Sequence, residues 1–239
     1  MSTHATETTQ QTTPIATSHI WRQLYLLGVI LLVASYVFGL VDGLQRIGLV
    51  LLFAAPVVMI YVRSGLSLTD IGMSRGSVTS GLIWGSGALL IVGTAIGAAA
   101  IVQPSVLMDG RYNQGVADAI GRSFLFIPFA TVIFEELVFR GLLPALLQRR
   151  FTLKNSFIVS SLGFGLWHVF SSLDVSNPLL GTGVVASVLS VAGVVVVTAL
   201  AGVVFCWLRY KSGSILAPML AHWAVNSFAL IAAAITWNG

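Results

Sequence analysis

Seven long apolar runs, separated by short polar connections, organise this chain. They cover about Leu24–Val41, Ile47–Val62, Ser80–Val102, Ser123–Leu147, Ser156–Phe170, Gly183–Leu208 and Ser214–Thr236. A helix needs roughly 20 apolar residues to cross a bilayer, so runs of this length predict membrane spans. The predicted fold is all-α: a polytopic transmembrane helix bundle of about seven spans, eight at most. Pro56 lies inside the second run, and Gln103–Arg122 is the longest polar connection between runs. Ahead of the first run, residues 1–20 are rich in Thr, Ser and Gln and read as a disordered polar tail. The tail lacks the basic start and apolar core of a signal peptide. Residues 21–239 read as a single transmembrane domain without an internal repeat.

Composition excludes a water-soluble reading. Hydrophobic residues make up 56% of the chain and charged residues 8%, against about 25% charged in a soluble domain. So few charges cannot cover a surface facing water. The net charge of +4 comes from basic residues scattered singly or in pairs between apolar runs, with no basic stripe interleaved with aromatics. That pattern fits connections on the cytoplasmic side of a membrane and not nucleic-acid binding. With a cytoplasmic N-terminus, the inside connections hold Arg22, Arg63, Arg75, Arg149, Arg150, Lys154, Arg209 and Lys211, and the outside ones Arg46, Arg111 and Arg122. The expected placement is therefore an integral, multi-pass protein of the cell membrane with its N-terminus inside and its C-terminus outside. The lone cysteine, Cys206, sits in an apolar run and reads as a packing residue. Gly85, Gly87, Gly93 and Gly97 in the third span, and Ala186, Ala192, Gly193 and Gly202 in the sixth, suit close helix packing in lipid.

Against this background the ionisable residues inside the runs carry information, because each costs about 3 kcal/mol at the bilayer centre. The fourth run holds Glu135, Glu136 and Arg140, the fifth His168, and the seventh His222 and Asn226. Glu136 and Arg140 are spaced i, i+4 and can pair on one helix face. Glu135 is rotated by about 100° from Glu136, which makes it the freer carboxylate. Phe164 with His168 and His222 with Asn226 repeat the i, i+4 spacing. Taken singly, a Glu–Arg pair reads as helix glue, a histidine as packing, and an asparagine as an interhelical hydrogen bond. Together they supply a base, an orienting cation, and donors for a developing oxyanion, which is the equipment of hydrolysis. No serine or cysteine beside a histidine calls for a covalent mechanism.

These residues resemble the three motifs of the CPBP-family intramembrane proteases, which include the CAAX prenyl endopeptidases and bacterial members linked to bacteriocin maturation or self-immunity. The motifs are Glu-Glu-x-x-x-Arg at Glu135–Arg140, Phe-x-x-x-His at Phe164–His168, and His-x-x-x-Asn at His222–Asn226. The likeness extends over roughly Leu66–Asn226. It implies Glu135 as the water-activating base with His168 sharing that water. It also implies Glu136 and Arg140 as braces, and His222 and Asn226 as oxyanion donors. It is compatible with a metal-independent glutamate protease or a metalloprotease. The reading adopted is that no cofactor is required, with Glu135, His168 and His222 as ligands if a divalent metal such as zinc is bound. The expected partners are the lipid bilayer and a membrane-associated or lipidated peptide substrate. Two other readings use the same residues: a catalytically silent scaffold or immunity protein of the same fold, and a transporter with a proton relay.

Overall fold

A computed structural model describes residues 17–41, 43–107, 114–173 and 183–238. Most of the expected tail, Arg111, and part of the long polar connection lie outside the described residues. The described residues form helices and short connections with no strand. The long helices are α1 (Thr17–Gly39), α2 (Leu44–Ser64) and α3 (Val78–Val102). A bent helix, α4, follows in two arms, Val116–Phe126 and Pro128–Leu147. It is succeeded by α5 (Leu153–Trp167), α6 (Val184–Ser212) and α7 (Leu216–Asn238). Each predicted run thus corresponds to one helical segment. Five are long and apolar enough to cross a membrane, six if the bent pair counts as one span. The remaining segment, α5, has 15 residues and a length of about 22 Å, short of the roughly 30 Å hydrocarbon core.

The bundle is apolar outside and polar at its centre. Leu51, Ile91 and Leu200 are each more than 60% exposed, as expected of side chains that meet lipid tails. Glu135, Glu136, Arg140 and His222 are all buried. A surrounding core of Leu27, Phe38, Phe134, Phe164, Trp167 and Phe205 draws on α1, α4, α5 and α6. In hydrocarbon, close backbone approach replaces the hydrophobic effect as the source of helix association. Helix α3 lies against α7, where a Cβ at Gly85 would meet Leu220 at 2.6 Å and the Ala217 Cα at 3.2 Å. Helix α5 lies against α6, where a Cβ at Gly165 would meet the Val195 carbonyl oxygen at 2.6 Å. Gly93 and Gly202 also sit at tight contacts, but nothing lies within 4 Å of a Cβ at Gly87, Gly97 or Gly193. Those three glycines face outward and do not pack helices together, which corrects part of the expectation from sequence. Gly65 and Gly213 adopt left-handed backbone and end α2 and α6.

Helix α4 departs from the single straight span expected over Ser123–Leu147. Its arms meet at 41°, and three stretches are wound as wide π-turns, Arg122–Phe126, Pro128–Val132 and Leu137–Leu142. Two prolines explain where the ladder opens. In a π-turn the carbonyl of residue i takes the N–H of residue i+5, and a proline at i+5 has none. Pro128 therefore frees the Ser123 carbonyl, which accepts from Trp223 Nε1 at 2.8 Å and from Ser227 Oγ at 3.3 Å. Pro144 likewise frees the Phe139 carbonyl, which accepts from Ser160 Oγ. Membrane helices tolerate prolines when neighbouring side chains satisfy the freed groups. Here the three replacement bonds tie α4 to α7 and to α5, the helices that carry the remaining polar residues.

Candidate active site

The site begins on the second arm of α4, where Glu135 and Glu136 precede the wide turn Leu137–Leu142. Glu136 Oε1 lies 3.2 Å from Arg140 Nη1, and both side chains are fully buried. The expected i, i+4 pair is present, within a turn wider than an α-helix. The same Oε1 lies 2.7 Å from His222 Nδ1 on α7. An ionised carboxylate only accepts hydrogen bonds, so this contact assigns the proton to Nδ1. The other ring nitrogen, Nε2, then faces Glu135 Oε2 at 3.9 Å. Both carboxylates thus face one imidazole, and Glu135 Oε1 also accepts from Trp167 Nε1 of α5 at 2.9 Å. Glu135 Oε2 is buried and has no hydrogen-bond partner.

Arg140 is held by aromatic faces as well as by Glu136. Its Cζ lies 3.9 Å from the centroid of Phe164 and 4.9 Å from that of Phe205. Cation–π attraction is strongest where water is excluded, and Arg140 is 2% exposed. Phe164 is also the floor on which both histidines rest, with ring centroids at 4.7 Å for His168 and 5.7 Å for His222. Phe205 stacks on His222 at 5.3 Å with an interplanar angle of 24°. The phenylalanine of the second motif thus joins the guanidinium to the two imidazoles.

His168 lies at the end of α5 and not within a span, which corrects the predicted boundary at Phe170. Its Nδ1 is 2.8 Å from the Phe164 carbonyl oxygen. That oxygen is an acceptor, so Nδ1 carries the proton and Nε2 keeps its lone pair. The side chain caps its own helix while leaving an acceptor free. Asn226 stands one turn beyond His222 on α7 and is half-buried.

The structure therefore joins Glu135, Glu136, Arg140 and His222 directly, brings His168 to them across Phe164, and keeps Asn226 on the His222 face of α7. Among the described residues, no three of His, Cys, Asp and Glu converge closely enough to hold a metal ion. Glu135, His168 and His222 do not fit a metal-ligand set in this arrangement. Two contributors were not foreseen from sequence: Trp167, which holds Glu135, and Phe205, which stacks on His222. The signal for Trp167 was available, since an indole N–H immediately before a motif histidine needs a partner in an apolar setting. Phe205 carried no signal, because an aromatic in an apolar span is ordinary.

Residues 119–228 match the family model described as type II CAAX prenyl endopeptidase, Rce1-like. Over these residues, just under half of the chain, the protein is similar to the Rce1-like family. All six polar residues of the site fall inside the Rce1-like segment, and so do both unforeseen aromatics. Helices α1, α2 and α3 lie outside it. Neither a curated protein nor a solved structure matches the chain. The family is one of CAAX-type endopeptidases, and the protein is an integral membrane protein of several spans.

Proposed function

We propose that this protein hydrolyses a peptide bond of a membrane-associated or lipidated substrate, with Glu135 activating the attacking water. One observation carries the reading: Trp167 holds one oxygen of Glu135 at 2.9 Å while the other is buried, unpartnered, and 3.9 Å from His222 Nε2. A general base must be fixed in place and have a free oxygen within reach of the proton it takes. Glu135 meets both conditions.

The chemistry follows from the donor set. Water placed on Glu135 Oε2 loses a proton to that oxygen as its own oxygen attacks the scissile carbonyl carbon. The lone pair on His168 Nε2 accepts the second hydrogen of that water and orients it. Charge then builds on the former carbonyl oxygen, to which the Asn226 amide and a protonated His222 Nε2 donate. Glu136 accepts from Nδ1 and fixes the His222 ring, and Arg140 holds Glu136 in place. The proton on Glu135 passes to the departing amine as the C–N bond breaks, which restores the carboxylate. No metal is required in this scheme. The segment belongs in the cell membrane with its N-terminus in the cytoplasm, in line with the basic residues near the N-terminal end of α1 and the C-terminal end of α2.

The test is cleavage by purified protein in liposomes of a mixed set of membrane-anchored and prenylated peptides. Glu135→Gln keeps the shape and removes the base, and should lower kcat by about 10²–10⁴-fold. Undiminished cleavage by that variant refutes the role of Glu135. Loss of activity on chelation, restored by zinc, would replace the water-on-glutamate scheme with a metal one. A folded wild type that cuts none of these peptides would favour the silent scaffold.

A further inference from the structure

A second polar cluster lies outside the Rce1-like segment, between the N-terminal end of α1 and the C-terminal end of α2. These ends come together because α1 and α2 form an antiparallel hairpin. A cavity of about 300 Å³ opens there. At its polar end it is lined by the exposed Arg22 and Arg63, with His19 and the buried Gln23 beside them. The rest of its lining is apolar, Leu26 and Ile30 of α1 with Met59 and Ile60 of α2, and Leu26 and Met59 are exposed on the lipid-facing side. The spacing on α1 (19, 23, 26, 30) and on α2 (56, 59, 60, 63) follows one face of each helix. No acidic residue lines the cavity.

Gln23 makes this cavity a site. It is 5% exposed, and neither its Nε2 nor its Oε1 has a hydrogen-bond partner. The buried His19 Nδ1 is also without one. An unsatisfied polar group in an apolar wall costs about 1–3 kcal/mol, so an amide facing this cavity with both ends open implies a ligand that donates and accepts. Two guanidiniums at the polar end call for a bidentate anion, and phosphate is the usual match. The apolar lining, open to the lipid side at Leu26 and Met59, calls for a hydrocarbon chain beside the anion. Trp21, exposed and edge-on to Phe151 at 5.9 Å, marks the level of the membrane interface at this end.

We propose that this cavity binds the head of an anionic phospholipid whose head group carries hydroxyls. Its phosphate sits between Arg22, Arg63 and Gln23 Nε2, a hydroxyl donates to Gln23 Oε1 or His19 Nδ1, and the first methylenes of an acyl chain lie on Leu26, Ile30, Met59 and Ile60. The site is independent of the proteolytic reading, since it uses none of the residues assigned to the reaction.

The experiment is native mass spectrometry of the detergent-purified full chain, titrated separately with phosphatidylglycerol, phosphatidylcholine and inorganic phosphate. Wild type should retain one phosphatidylglycerol saturably and no phosphatidylcholine. Arg22→Ala/Arg63→Ala should weaken binding about 30-fold, from about 1 kcal/mol for each arginine near the head group. Gln23→Leu, which keeps both charges, should weaken it about tenfold. Arg75→Ala/Lys211→Ala removes the same charge elsewhere and should leave binding unchanged. Equal retention of the two lipids, or full binding by both cavity variants, overturns the proposal. Inorganic phosphate that binds as tightly as the lipid assigns the site to a free anion and overturns the lipid. Weakening by Arg75→Ala/Lys211→Ala to the same degree as by the cavity arginines shows general surface charge and overturns the site.

Discussion

Removing Arg140 should expose how much of this bundle rests on one buried ion pair. Arg140 Nη1 is 3.2 Å from Glu136 Oε1, with both side chains shielded from solvent. At an effective dielectric of about 20, opposite unit charges at that distance attract by about 5 kcal/mol. Arg140→Met keeps most of the volume and leaves the Glu136 carboxylate with His222 alone. Breaking one side of a buried pair costs about 3–5 kcal/mol, because the remaining charge is stranded. Glu136→Gln should cost less, since the stranded guanidinium still rests on the faces of Phe164 and Phe205. The double variant carries neither charge and should recover about 2–3 kcal/mol relative to the sum of the singles. The assay is equilibrium unfolding in mixed micelles of SDS and a mild detergent, followed by tryptophan fluorescence, for wild type and all three variants. Additivity of the singles to within about 0.5 kcal/mol would refute the coupling. It would mean that the Arg140 cost comes from lost packing against the two phenylalanines.

Three further outcomes follow from particular contacts. Trp167→Phe keeps the ring and deletes the hydrogen bond to Glu135 Oε1; a bond to a charged group contributes about 1.5–3 kcal/mol. The kcat for a peptide that wild type cuts should fall about 10–100-fold, and an unchanged kcat refutes the positioning role. Ser160→Ala strands the Phe139 carbonyl that Pro144 leaves free and should destabilise by about 1–3 kcal/mol. Adding Pro144→Ala restores an N–H there and should recover part of the loss in the same unfolding assay; no recovery would argue against the proline account. Gly165→Ala puts a methyl 2.6 Å from the Val195 carbonyl oxygen and should cost about 1–3 kcal/mol. Gly193→Ala meets nothing and should be neutral, so equal losses would contradict the packing of α5 on α6.

Amino-acid order alone determined the architecture and the chemical inventory. Long apolar runs leave a chain no stable option except membrane helices, because every backbone group in lipid must be bonded within its own segment. A charged residue in such a run is costly enough to stand out, and that contrast marked Glu135, Glu136, Arg140, His168 and His222. Helical period separated the Glu136 face from the Glu135 face. Tertiary structure alone decided what depends on distances between helices. The Glu136 oxygen that meets Arg140 also meets His222 from α7, and Trp167 of α5 reaches across to Glu135. Neither contact has a sequence period, since each joins residues far apart in the chain. The bend in α4 was written at Pro128, and a second opening of its ladder at Pro144. Its tolerance was not, because it depends on Trp223, Ser227 and Ser160 arriving to satisfy the carbonyls those prolines release. Gly85 and Gly87 are alike as letters, yet Gly85 meets Leu220 and Ala217 while Gly87 faces open space. The difference is the rotation of α3 about its own axis, and with weak hydrophobic preference between lipid and protein, only the shape of the neighbouring helices fixes that rotation.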